Sequence, residues 1–297
     1  MAAEATVPAP RRSAGKRLAD LFQGRPRLTV AALLAAPLGW LVIGYLGSLG
    51  VMLIASFWHL NELSGEVQQG FSLDNFTTLF TEDVYRTIAL RTIGVAAAVT
   101  VTDAILAFPI AFFMAKVAKP RMRSVLVVAV LLPLWSSYLV KVGAWRLMLS
   151  EDGAINWALG PLGLHGPGYG TIAVWLVMSY IWLPYMIIPI YAGLERIPDS
   201  LLNASEDLGA KPGRTFRKVI LPLTFPAIVA GSIFTFSLTL GDYITPANVG
   251  TKQFIGNIVY SNFVSNLPLA AAITTIPIVV MVIYLLVARR LGAFEHV

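Results

Sequence analysis

Residues 197–231 read IPDSLLNASEDLGAKPGRTFRKVILPLTFPAIVAG, a polar insert set between two strongly apolar stretches. Asp199 follows Pro198 and is placed to cap a short helix from about Ser200 to Leu208. Gly209 then supplies the left-handed terminator. Pro212 suits the first turn of a second short helix through about Ile220, and Leu221-Pro222 predicts a break before the next apolar run. Leu201, Leu202 and Leu208 give the insert an apolar side, while Glu206, Asp207, Arg214, Arg217 and Lys218 give it a charged surface. Two uses fit such a segment: docking to a partner, or lying on lipid headgroups.

Outward from this insert the chain is apolar almost throughout. Of its 297 residues 57% are hydrophobic and only 13% charged, where a soluble domain carries about 25% charged residues. Stretches at about 29–56, 88–115, 124–148, 170–192, 222–244 and 267–288 are long enough to cross a bilayer. The expected fold is therefore an all-α integral membrane protein of six transmembrane helices. Residues 1–28 read as a flexible basic tail, 29–290 as the membrane domain with its polar loop at about 193–222, and 291–297 as a C-terminal tail.

Charge sets the expected orientation. Arg11, Arg12, Lys16, Arg17, Arg25 and Arg27 precede the first span; Lys116, Lys119, Arg121 and Arg123 follow the second; Arg196, Lys211, Arg214, Arg217 and Lys218 lie in the polar loop; Arg289 and Arg290 follow the sixth. The opposite loops carry mainly acids, among them Glu62, Glu66, Asp74, Glu82 and Asp83. The positive-inside rule then places both termini and the polar loop in the cytoplasm of a bacterial inner membrane. The net charge of +6 is thus a topological signal and does not point to nucleic acid. The basic N-terminal region and the long apolar stretch behind it do not fit a cleaved signal peptide.

Several chemistries are excluded. The chain has no cysteine, so thiol catalysis and thiolate metal sites are absent. His59, His165 and His296 fall in loops or at the terminus, with no metal-ligand spacing and no base at helix depth for a hydrolase. No GxxxxGK(S/T) phosphate loop occurs, so this polypeptide is not itself an ATPase and no cofactor is assigned to it. Prolines 37, 109, 133, 184, 189 and 277 predict bends for packing or a moving gate. The two halves show no repeat of the kind on which many self-contained carriers are built.

Ionisable residues inside spans are costly and are read for function first. Asp103 falls near the middle of the second span and Asp242 at the outer end of the fifth, within LGDYITP. Both suit attraction of an ammonium group. Asp242 fits a helix-end carboxylate as well, and Asp103 fits a buried acid that ties helices or pairs with Lys141 or Arg146. Lys141 and Arg146 oppose a cationic cargo unless they reach the interface. Trp135, Tyr138, Trp145 and Tyr243 suit cation–π contact, and equally an interfacial aromatic belt.

The loop also resembles the EAA loop of permease subunits of binding-protein-dependent ABC importers: Glu-Ala-Ala, three residues, Gly, nine residues, Ile, one residue, Leu-Pro. That pattern falls on Asn203, Ala204, Ser205, Gly209, Val219, Leu221 and Pro222. Asn203 stands for the Glu and Ser205 for the second Ala, with Glu206 and Asp207 the acids available nearby. FPIAFFMAKVAKPRMRS, LLPLWSSYLVKVGAWRLMLSEDGAINWALG, FSLTLGDYITPANVG and QFIGNIVYSNF are similar to the spermidine/putrescine-type branch, especially its first permease. The resemblance implies a type I importer permease whose loop docks on a cytoplasmic ATPase through residues 203–207 and Gly209. It implies two ATPase copies that hold ATP and Mg²⁺, a second permease forming a heterodimer, and an extracytoplasmic binding protein docking near 58–87, 150–169 and 246–266. The implied cargo is a polyamine; other cargoes in the same architecture (amino acid derivative, thiamine, iron or another ion), a stand-alone carrier or channel, and a membrane scaffold are the alternatives.

Overall fold

The computed structural model describes residues 26–61 and 64–290. The tail expected at 291–297, and residues 1–25 of the one expected at 1–28, lie outside the described residues. The chain divides into two units at Ile54–Ala55. The first holds α1 (Pro26–Trp40), a π-helical segment Leu41–Leu46 and most of α2 (Gly47–Ala55), with helix already formed at Pro26, earlier than the expected start at 29.

The second unit begins with a two-stranded antiparallel pairing of β1 (His59–Leu60) with β2 (Val67–Gln68), followed by α3 (Asp74–Thr81). The long helix α4 (Asp83–Phe112) continues through a π-helical segment Phe113–Val117, one turn beyond Pro109. Next come α5 (Pro120–Trp135), α6 (Tyr138–Leu149), α7 (Ala154–Leu159) and α8 (Thr171–Glu195). The polar loop contains α9 (Asp199–Asp207) and α10 (Pro212–Thr215); after a π-helical segment Phe216–Ile220 come α11 (Leu221–Gly241), α12 (Ile244–Val249), α13 (Ile255–Ser265) and α14 (Leu267–Arg290).

Among the described residues five helical runs are long and apolar enough to span a bilayer, and α5 with α6 makes a sixth if that bent pair counts as one. The bend corrects the expected continuous helix over 124–148: α5 and α6 meet at 90°. Pro133 weakens the last turn of α5, and Ser136 and Ser137 take extended backbone angles. The freed Pro133 carbonyl accepts from Ser136 Oγ at 2.8 Å and from Lys141 Nζ at 3.0 Å. Lys141 therefore caps the end of α5, where a cation is favoured, and does not pair with Asp103.

A second correction concerns Leu221-Pro222, where no break occurs. Helix runs from Pro212 to Gly241, and the wider π turn ahead of Pro222 accommodates a residue that lacks an N–H. The run also ends earlier than expected, so Asp242 lies just outside it.

Helices α4, α8 and α11 pack most extensively on one another and form the centre of this unit. Their contacts are built from small and flexible apolar residues: Ala107, Ala111, Met114, Met186, Ile190 and Leu194 are all buried. A Cβ at Gly231 would stand 2.7 Å from Met186 Sδ, and one at Gly193 would stand 2.5 Å from Ala227 Cβ. Small residues of this kind let membrane helices approach closely.

Candidate functional site

Two regions mark opposite ends of the helical run Pro212–Gly241. At its start, α9 is closed by Gly209, whose φ of +72° is the left-handed conformation predicted for it. Gly209 N donates to Glu206 O at 2.8 Å, and Ala210 N to Ser205 O at 3.0 Å. Ser205 and Thr215 share a 2.8 Å hydroxyl–hydroxyl hydrogen bond that ties α9 to α10. Asp199 is the first residue of α9 rather than its cap, and its carboxylate sits 3.0 Å from Lys116 Nζ. Asn203, Glu206 and Asp207 are exposed, and Leu208 is 89% exposed, an apolar side chain presented outward at the end of α9.

At the far end, a groove of about 310 Å³ is lined by Tyr138, Trp182, Ser237, Gly241, Asp242 and Tyr243 among others. Three of the predicted pathway residues, Tyr138, Asp242 and Tyr243, are thereby brought together. Asp242 is only 8% exposed. Its Oδ1 accepts from Ile244 N at 2.9 Å and Thr245 N at 3.2 Å, so it closes α11 and starts α12. Its Oδ2 accepts from the Tyr138 hydroxyl, which also bonds Thr245 Oγ1 at 2.7 Å. Among the described residues no Lys or Arg forms an ion pair with it. The carboxylate is thus held by hydrogen bonds alone.

Aromatic rings build the walls. Tyr138 stacks on Trp182 with centroids 5.8 Å apart, and Tyr243 stacks on Tyr260 at 4.6 Å. The turn carrying Asp242 and Tyr243 is held from α13: Asn257 Nδ2 donates to Tyr243 O at 2.8 Å, and Gly256 packs directly on the Asp242 backbone. A carboxylate with no basic partner among the described residues, in a groove lined by Tyr138, Trp182 and Tyr243, suits an organic cation.

Asp103 and Trp135 do not line this groove. Asp103 is fully buried, and among the described residues its oxygens have no hydrogen-bond partner within 3.5 Å, the nearest polar side chain being Ser179 of α8. Neither Lys141 nor Arg146 pairs with it. Trp135 is 87% exposed at the end of α5. Trp145 packs against Tyr180 at 5.4 Å. The residues absent from the sequence reading are Trp182 and Thr245. Their signal was slight: a Trp and a Thr in apolar helical surroundings give no hint of what they face.

Residues 87–294 match the family described as "Binding-protein-dependent transport system inner membrane component". The inner membrane ABC transporter permease protein YdcU of Escherichia coli (strain K12) is 45% identical over 297 residues, covering 94% of this chain and 95% of that protein. The spermidine/putrescine transport system permease protein PotB of the same organism is 30% identical over 260 residues, covering 85% of this chain and 94% of that protein. A chain of a bacterial alginate ABC transporter, solved in complex with an alginate pentasaccharide-bound periplasmic protein, superposes with a TM-score of 0.69 at 19% identity, covering 91% of this chain and 98% of that one.

Proposed function

We propose, from the premise that this chain belongs to the family of binding-protein-dependent transport system inner membrane components and is the permease subunit of an ABC importer, that it forms half of a translocation pathway for a small organic cation of the polyamine class. The observation that carries the reading is the single helical run Pro212–Gly241, which leads from the glycine-closed loop to the carboxylate–aromatic groove. Thirty helical residues span about 45 Å, enough to connect the two faces of a bilayer.

In this reading the loop lies in the cytoplasm, as do both termini, in keeping with its Lys and Arg content. Residues 203–207, Gly209 and the outward Leu208 dock on one of two copies of a separate ATPase, which holds the ATP and Mg²⁺. A second, homologous permease supplies the other half of the pathway. ATP-driven closure of the ATPases displaces the loop, and α11 carries that displacement to the groove, which alternates between access from outside and from inside. An extracytoplasmic binding protein delivers the cargo to the segments near 58–87, 150–169 and 246–266. Support for such a partner comes from the solved alginate importer with its periplasmic protein.

Tyr138, Asp242 and Tyr243 line the pathway, with Trp182 added to them. Asp103, sealed between α4 and α8, is assigned a structural role. The fold itself does not select the cargo, since a similar fold serves an acidic polysaccharide in the alginate importer. The polyamine assignment rests on the similarity to PotB and on the chemistry of the groove.

The test is uptake of labelled spermidine and putrescine by cells with and without this chain, its partner genes intact and other polyamine systems deleted. Loss of uptake on deletion is expected. Unchanged uptake refutes the cargo and leaves the importer architecture standing.

A further inference from the structure

The polar loop is fastened to the helical core at a place that neither the loop motif nor the groove accounts for. Helices end with carbonyl groups that have no helical partner and carry negative partial charge. Here the ends of α4 and α8 lie together, and a cation from another element holds each: one caps the last carbonyls of α4, the other bonds the chain just past α8. Lys116, in the π segment ending α4, donates to Ile197 O just past the end of α8 and to Asp199 Oδ1 at 3.0 Å. Arg123, in the first turn of α5, reaches back to the end of α4, donating to Met114 O at 3.1 Å and Ala115 O at 2.8 Å. The same guanidinium donates to Glu195 Oε1 at 3.2 Å, on the last residue of α8, which also accepts from Tyr191 OH at 3.1 Å.

The parts of this clamp differ in weight. The Lys116 side chain is only 10% exposed, so its bond to the Ile197 carbonyl is sheltered from water. Asp199 is 80% exposed, and such an ion pair contributes little. Because α9 follows α8 after only three residues, a grip on Ile197 and Asp199 ties its beginning to α4 as well as to α8.

We infer that Lys116 and Arg123 are positioning residues that make α9 move as one body with the ends of α4 and α8, so that displacement of the loop reaches all three central helices. Without the clamp, displacement of α9 passes to α8 and α11 alone, the elements bonded to the loop in sequence. The inference rests on the reading of α9 as the segment driven by the ATPase.

The test uses the complete importer, with partner permease, ATPase and binding protein, in proteoliposomes loaded with ATP and given labelled spermidine. Lys116→Met is expected to lower the spermidine moved per ATP hydrolysed about fivefold while hydrolysis persists, Arg123→Gln to lower it less, and Asp199→Asn to change it under about twofold, following the unequal exposure of the contacts. Lys116→Arg, which keeps a donor at that depth, restores the ratio. A normal ratio in Lys116→Met, alongside a reduced one in Gly209→Pro, overturns the clamp and leaves the loop's coupling role standing. Normal ratios in both overturn the coupling reading itself and the clamp with it.

A second measurement needs neither a correct cargo nor a foldable Lys116 variant. The chain has no cysteine, so spin labels at Ser200→Cys and Arg121→Cys, both exposed positions, are unique on it. The distance between them is expected to stay constant between the nucleotide-free and the vanadate-trapped importer. A change of about 5 Å, one helical turn, overturns the proposal.

Discussion

Replacing Asp242 by Asn removes one charge and almost nothing else. The amide keeps an oxygen for the Ile244 and Thr245 N–H groups, and the Tyr138 hydroxyl, already shared with Thr245 Oγ1, turns to accept from the new NH₂. Weakening charge-assisted hydrogen bonds costs about 1–2 kcal/mol. Relief of burying a carboxylate held by hydrogen bonds alone opposes that cost, so the thermal midpoint is expected to move by only a few degrees or so. The effect on a cation is larger. An ammonium roughly 5 Å from the carboxylate gains about 3 kcal/mol at an effective dielectric constant near 20. Screening and lost hydration halve this to about 1.5 kcal/mol, close to a tenfold effect. Capture by the binding protein sets the half-saturating concentration, so the loss is expected in the maximal rate of spermidine uptake, read in cells with membrane abundance checked by immunoblot. Tyr138→Phe, which keeps the charge and removes one donor, is expected to lose less than about threefold, under 0.7 kcal/mol. Wild-type uptake by Asp242→Asn at normal abundance refutes the argument and leaves Asp242 as a helix-end cap only.

Substitutions at Gly209, Gly256 and Gly193 test the geometry further. Around Gly209 a Cβ meets open space, so Gly209→Ala carries only the left-handed backbone cost of about 1–2 kcal/mol and should keep most uptake. Gly209→Pro requires φ near −65° and loses the bond to Glu206 O, so uptake should fall about tenfold or more at normal membrane abundance; normal uptake contradicts the coupling role. A Cβ on Gly256 would lie 2.8 Å from Asp242 O, a backbone atom, so Gly256→Ala should lower both thermal stability and uptake, by about 1–3 kcal/mol in stability, whereas Gly241→Ala meets no such contact and serves as the control for stability alone. Gly193→Val, at the close approach to Ala227 between α8 and α11, should lower the thermal midpoint of the purified importer; an unchanged midpoint would show that these helices separate without cost.

What was legible in the sequence was local. Hydropathy located the spanning runs because bilayer thickness imposes a length, and Gly209 was recognisable as a terminator because a helical polar run stops at it. The right-angled break between α5 and α6 was not legible, since hydropathy registers only apolar content. The break depends on the Pro133 carbonyl being taken over by Ser136 and Lys141. Asp242 left two readings open, a pathway carboxylate and a helix-end carboxylate, and its geometry is compatible with both: Oδ1 receives the start of α12, and the residue also lines the groove. Lys116 and Arg123 were counted only as orienting charges, because nothing in their spacing indicates that the ends of α4 and α8 meet.

The contacts that escaped the sequence have a common cause. Lys116 to Ile197, Arg123 to Glu195 and Tyr138 to Asp242 all join helix ends far apart in the chain, where no periodicity connects the partners. Helix ends are also where backbone groups lack intrahelical partners, and a charged or polar side chain there supplies them. A polar residue at the end of a span is therefore recruited first to close a helix. Any task in binding or coupling has to be performed by a side chain already held in place by that closure, which is why Asp242 presents its charge at a fixed point and why Lys116 can tie a loop to the core mainly through a backbone carbonyl, its ion pair with the exposed Asp199 contributing little.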